Sequence, residues 1–148
     1  MKKQNSIYPK IKELPSNWYL IDATDKVLGR LATEASSLLL GKNSSIFTPG
    51  CDINNFLVII NADKVKVTGK KSLQKKYHRH TGYTGNLKTI VYKDLFIKSP
   101  EEVIYKAIKG MIPHNKYGSS LMTKVKIYKS DTHPHQAQNP IMINGGKS

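Results

Sequence analysis

Phe56 to Ile60 is an unbroken apolar run with Val and Ile at its centre, and a short run of that kind reads as a strand buried on both faces. Such a strand needs a cover on each side, which restricts the chain to a layered α/β arrangement. Upstream lies a second run, Trp18 to Ala23, also rich in residues that favour strands. Between the two, Leu28, Leu31, Ala32, Ala35, Leu38 and Leu39 recur at helical spacing, and Gly41 stands where a left-handed helix end prefers glycine. Thr24 and Asp25 are candidate helix caps. Strand, amphipathic helix, strand makes a βαβ unit and predicts a parallel sheet.

The chain has 148 residues, enough for one hydrophobic core without disulfides or a structural metal. The spacing predicts an extended arm over 1–16, with Pro9 and Pro15, one domain over 17–130, and an irregular tail over 131–148. After Ile60 the second strand is expected to continue to Val67, because Val65 and Val67 alternate with Lys64 and Lys66. A loop is expected from Lys42 to Asn55, and turns at Gly69, Gly82 and Gly85. Ser99, Pro100 and Glu102 form a helix start, with Val103, Ile104, Ala107, Ile108 and Met111 as its apolar stripe and Pro113 as its stop. Val125 to Tyr128 alternates like a last strand. Cys51 is the single cysteine, so no disulfide forms within the chain and a reducing compartment fits. The longest apolar run falls far below the roughly 20 residues of a membrane-spanning helix, and the basic N-terminus lacks the apolar core of a secretory signal.

Charge points to the partner. Twenty-four Lys and Arg stand against 10 Asp and Glu, a net +14. Between Asp63 and Asp94 lie Lys64, Lys66, Lys70, Lys71, Lys75, Lys76, Arg79, Lys88 and Lys93 with no acidic residue among them, interleaved with Tyr77, His78, His80 and Tyr83. A positive field of that density repels itself unless a polyanion neutralises it, and nucleic acid is the commonest polyanion in a cell. Arg30 and Arg79 are the only arginines, so lysine point charges on phosphate are favoured over bidentate reading of bases.

Other chemistries leave weaker traces. The pairs His78 with His80 and His133 with His135 have the look of metal ligands, but lysines surround them and would repel a dication, so no metal is expected. Gly29 alone does not make a dinucleotide fingerprint, and no phosphate-loop or nucleophile-elbow motif occurs. Gly29 reads as a close-packing position instead. Asp22 and Asp63 each follow a strand, where open α/β sheets usually place their active sites. With the paired histidines they define the alternative from another class, a small metal-dependent nucleic-acid hydrolase.

Several strings, taken in order, resemble one known family. WYLIDA, LGRLA, FTPG, NADKVKVTGKK, YHRHTGY, PEEVIYKAIKGMIP, KVKIY and HPHQAQNP look like the bacterial-type large-subunit ribosomal protein thirteen, from about Trp18 to Pro140. The resemblance implies a three-layer α/β/α fold with a small, mostly parallel four-stranded sheet and extended arms at both ends. It implies a structural constituent of the large ribosomal subunit that binds large-subunit ribosomal RNA and supports early subunit assembly and translation. Enzymatic activity, cofactor, small-molecule substrate and membrane are not expected. Neighbouring ribosomal proteins are implied partners, with one copy per ribosome, in a bacterial cytoplasm or a plastid stroma. Carried over by position, the implied RNA-facing residues are Lys70, Lys71, Lys75, Lys76, Tyr77, His78, Arg79, His80, Thr81, Gly82 and Tyr83, then Lys116, Gly118, Lys124, His133 and His135. The chain departs from the family pattern at Gly50, where a histidine is common, and at Gly118–Ser119, where glycine is usually followed by arginine.

Overall fold

A computed structural model describes Lys10 and residues 14–143; most of the expected N-terminal arm and the last residues of the tail lie outside this range. Strand β1 (Asn17–Asp22) pairs in parallel with β2 (Asn55–Ile60), in step from Asn17 opposite Asn55 to Asp22 opposite Ile60. Helix α1 (Leu28–Leu40) joins them, and Gly41 ends it in the left-handed conformation with φ 71°. A side chain at Gly41 would also run into Ile53. This is the βαβ unit that the apolar spacing predicts. Strand β5 (Val125–Ile127) adds in parallel to the free edge of β2, and β6 (Ile141–Met142) to the free edge of β1. The sheet is therefore four-stranded and parallel, in the order β5-β2-β1-β6.

That order decides where the helices go. From β1 to β2 to β5 the chain steps one way across the sheet, and right-handed crossovers then place every connection on one face. Residues from α1, α3 (Tyr92–Lys98), α4 (Pro100–Lys109) and α5 (Lys116–Thr123) accordingly share one core with Ile21, Leu57 and Ile59. Leu31, Ile104, Ile108 and Leu121 are fully enclosed there, each contributing about 1.5–3 kcal/mol by burial. From β5 to β6 the chain steps back the other way, which sends it over the opposite face. Leu20, Val58 and Ile60 form a smaller core on that face with Trp18 and Tyr128. Its cover is chain from the tail, including a single 3-10 turn at Gln136–Gln138, with His135 tilted against Trp18 at 5.3 Å.

Several local expectations are corrected. Strand β2 stops at Ile60 because Asn61 adopts φ 56° and a 3-10 turn follows at Ala62–Lys64; Val65 returns to the core, and Lys66 forms an isolated parallel bridge with Val27. Val27 occupies the cap position of α1, while Asp25 sits at φ 59° and Thr24 bonds to Asp22. Ser99 and Pro100 do start α4, but the serine hydroxyl makes no capping bond, and the helix ends at Lys109, leaving Met111 exposed. Val125 to Tyr128 is not the last strand. Part of the tail, Ile141–Met142, joins the sheet.

The loop before β2 is fastened by one buried ion pair. Lys124 Nζ lies 2.6 Å from Asp52 Oδ2, with side chains 13% and 8% exposed, and also donates to Asn54 Oδ1 at 3.3 Å. Removing one charge strands the other in a poorly hydrated site. Asp52→Asn and Lys124→Met should each lower the unfolding free energy by about 3 kcal/mol, the low end for a broken buried pair. In urea unfolding the double variant should lose clearly less than the sum of the two; strict additivity would show that the pair is not coupled.

Candidate nucleic-acid interface

The cationic segment that sequence reading leaves as a series of turns folds into a lobe on the helical side of the sheet. A one-turn helix α2 (Lys71–Gln74) leads into a β-hairpin of β3 (Lys76–His80) and β4 (Leu87–Val91), with Tyr77 opposite Ile90 and Arg79 opposite Lys88. Period-2 patterning does not reveal these strands, because nearly every residue in them is exposed. Gly82 and Gly85 have φ of 97° and 73° at the tip, a region costly for other residues. At the base, the Tyr92 N–H donates to the Lys75 carbonyl at 2.8 Å, joining the hairpin to α3.

Tyr77 anchors the hairpin to the body. Its half-buried ring packs against the main core, with Lys75 Nζ 5.5 Å and Lys106 Nζ 5.2 Å from its centroid. Burial pushes the phenol above its usual value, and burial followed by the nearby Tyr77 does the same to Tyr92. Tyr77 is therefore mainly a support, whereas Tyr83, 78% exposed at the tip, is free to stack.

The other candidate residues divide by their surroundings. Lys70, Lys71, Lys75, Lys76, His78, Arg79, His80, Thr81, Gly82 and Tyr83 are brought together and exposed in the lobe. Lys116 is exposed in the first turn of α5. Gly118 is buried, and a Cβ there would overlap the Pro113 carbonyl oxygen; its N–H donates to the capping Asn115 Oδ1 at 2.8 Å. This glycine serves close packing. Gly29, expected to do so, has open space where its Cβ would be. Lys124 is committed to Asp52. His133 and His135 lie on the opposite face of the sheet, where the Tyr128 hydroxyl is 2.8 Å from His135 Nε2 and the His135 N–H donates to His133 Nδ1 at 3.2 Å.

Several carboxylates of the body are paired with lysines: Asp25 with Lys66 at 2.6 Å, Glu34 with Lys26 at 3.0 Å and Glu102 with Lys106 at 2.8 Å. Among the described residues no carboxylate pairs with Lys70, Lys71, Lys75, Lys76, Arg79 or Lys88. Lys106, outside the basic run of the sequence, joins this surface through helix placement beside Tyr77, and register sets Lys88 opposite Arg79. The arrangement can attract and hold a chain of phosphates.

The hydrolase alternative lacks a matching geometry. His78 and His80 are separated from His133 and His135 by the sheet, and among the described residues no three His, Cys, Asp or Glu side chains are grouped to hold a metal ion. Asp22 is a turn anchor: its Oδ1 accepts from the Thr24 N–H at 2.9 Å, the Thr24 hydroxyl at 2.7 Å and Asn61 Nδ2 at 2.9 Å.

The profile of the family described as Ribosomal protein L13 matches residues 16–134. The large ribosomal subunit protein uL13 of Prochlorococcus marinus subsp. pastoris is 48% identical over 139 residues, covering 94% of this chain and 97% of that relative. The protein of the same description from Finegoldia magna is 50% identical over 135 residues, covering 91% and 94%, and that from Streptomyces avermitilis 49% over 133 residues, covering 90% of each.

Asp22 also makes the turn acid-sensitive. Burial alone would raise its carboxyl, but the hydrogen bonds from Thr24 and Asn61 and the charge of Lys64 together outweigh burial and hold it below the usual 3.8. A depressed folded value means that the carboxylate stabilises the fold above pH 3.8 and that this contribution is lost as pH falls through the folded value. In acid titrations followed by circular dichroism, Asp22→Asn should be less stable at neutral pH and show a shallower loss of stability below about pH 4. An unchanged acid limb would rule out this role.

Proposed function

The chain belongs to the ribosomal protein L13 family, which is not an enzyme family, and from that membership we propose that it is a structural constituent of the large ribosomal subunit, bound to large-subunit ribosomal RNA and needed early in subunit assembly. The observation that carries the RNA reading is the lobe at 70–91: lysines and Arg79 on a projecting hairpin, without a carboxylate to neutralise them. Free in solution these charges repel one another; against phosphates they release condensed counterions, which supplies most of the binding free energy. The rigid sheet-and-helix body fixes the position of the lobe, so two RNA segments that would repel each other are held close as the particle compacts. Tyr83 at the tip adds stacking worth about 1–3 kcal/mol where it meets an unpaired base.

Lys116 extends the proposed RNA contact to α5, and the proposed roles of Gly118, Lys124, His133 and His135 are to hold the RNA-bearing surfaces in shape. Residues 17–130 are read as the RNA-binding body, with 1–16 and 131–148 as arms toward RNA and neighbouring ribosomal proteins. One copy per particle is proposed, with no catalytic step. The relatives named above are bacterial, cyanobacteria among them, and the proposed residence is a ribosome of bacterial type, in a bacterial cytoplasm or a plastid stroma.

Two measurements test this reading. If roughly six to ten phosphates are neutralised, affinity for large-subunit ribosomal RNA fragments should fall by about three to five orders of magnitude between 50 and 200 mM salt. In nuclease-free lysate the protein should sediment with large subunits and be released by high salt or RNase. A flat salt response, or sedimentation as free protein, overturns the proposal.

A further inference from the structure

The register of the hairpin gives its two faces different chemistries. Residues directly opposite in an antiparallel pair share a face, and alternate residues along each strand return to it. One face therefore carries Tyr77 and Ile90 near the body and Arg79 and Lys88 beyond them. The other carries Lys76 and Val91 near the body, then His78 with Thr89 and His80 with Leu87. The two fixed charges of the outer half lie on the first face. The second presents two imidazoles, a hydroxyl and an apolar side chain that is 57% exposed.

Arg79 directly opposite Lys88 is a destabilising arrangement for the bare protein, since like charges across strands repel, and an anion between them removes the cost. On the other face the rings are held in place. Gly82 N–H donates to His80 Nδ1 at 3.0 Å, so the ring proton is on Nε2, which is left as the outward donor. His78 Nδ1 is 2.9 Å from Thr89 Oγ1, which holds its ring against the opposite strand on the face it shares with His80. Imidazole faces with a fixed donor and an apolar neighbour suit unpaired bases, which expose both π-faces and acceptor edges. Its occupant is also selected by charge: Lys76 on this face and Arg79 and Lys88 on the other give the hairpin a positive field, so a cationic partner is repelled from either face.

We propose that the hairpin is a wedge between two separate RNA segments, with the Arg79–Lys88 face clamping the phosphate backbone of one and the His78–His80–Leu87 face lying on unpaired bases of the other. This rests on the RNA-binding reading above and adds to it a division of labour between two sides of one element. The two sides have different physical signatures, because phosphate contacts carry salt dependence and base stacking does not.

The test uses the full chain with fragments of large-subunit ribosomal RNA, measuring affinity against salt and nucleotide protection by chemical footprinting. Arg79→Gln with Lys88→Gln should make the slope of log affinity against log salt shallower by about 1.5–2 and remove protection from one segment. His78→Ala with His80→Ala should leave the slope unchanged, weaken binding about ten- to hundredfold at fixed salt and remove protection from a different segment. All four side chains are exposed, so neither variant should melt appreciably below the wild type, and the first should melt at the same temperature or slightly higher because its cross-strand repulsion is gone. If the two variants lose protection at the same nucleotides, or change the slope equally while the wild type binds normally, the wedge is wrong and the RNA-binding reading stands. A wild-type protein with no salt-dependent RNA binding overturns both.

Discussion

A strand that is apolar from Phe56 to Ile60 has to be covered on both sides, and the chain meets that requirement with two unequal layers. Crossovers of one hand place α1, α3, α4 and α5 over Leu57 and Ile59. The returning tail then lies over Val58 and Ile60. Because α1, α3, α4 and α5 share one face, the hairpin that grows between α2 and α3 stands on the thick side of the molecule. Its base is fixed by the Tyr92 to Lys75 hydrogen bond and by the ring of Tyr77 against the core. Burial of β2 thus determines which side of the protein carries the cationic lobe.

Charge is distributed by the same division. The body places Asp25, Asp52, Glu34 and Glu102 beside lysines at 2.6–3.0 Å, and of these pairs only Asp52 with Lys124 is buried enough to matter to stability. The lobe has none of this matching. A free protein therefore carries a dense block of unmatched positive charge at the surface proposed to meet phosphate. Weakly satisfied electrostatics and exposed strands go together here, since the hairpin obtains little from burial and much from a partner.

Legibility in the sequence followed burial. The β1-α1-β2 unit could be read because its apolar residues alternate or recur with the period of their element, and Gly41 marked the helix end. The hairpin could not, since KYHRH and LKTIV meet solvent on both faces and carry no period. Helix α5 was equally hidden; its signals are Asn115 as a capping residue and the buried Leu121 and Met122. The early stop of β2 came from Asn61 entering left-handed backbone to reach Asp22, a tertiary contact that local pattern does not encode. Among the candidate RNA-facing residues, charge and ring content located the lobe. Only the fold sets Lys124, paired with Asp52, and Gly118, packed on Pro113, apart from the exposed set.

One edge strand of the sheet is made long after the strand it pairs with. Strand β6, at Ile141–Met142, closes the outer edge of β1, although β1 itself begins at Asn17. During synthesis from the N-terminus, β1 and β2 can pair and gather their helices while that edge still offers unpaired amides and carbonyls, a known template for unwanted strand addition. The Trp18 and Phe56 rings, stacked at 4.5 Å, cover part of one face of the sheet during that interval, but the edge stays open until Ile141–Met142 arrives. Nascent polypeptides of this sequence therefore pass through a sticky, half-finished stage whose duration is set by the pace of translation.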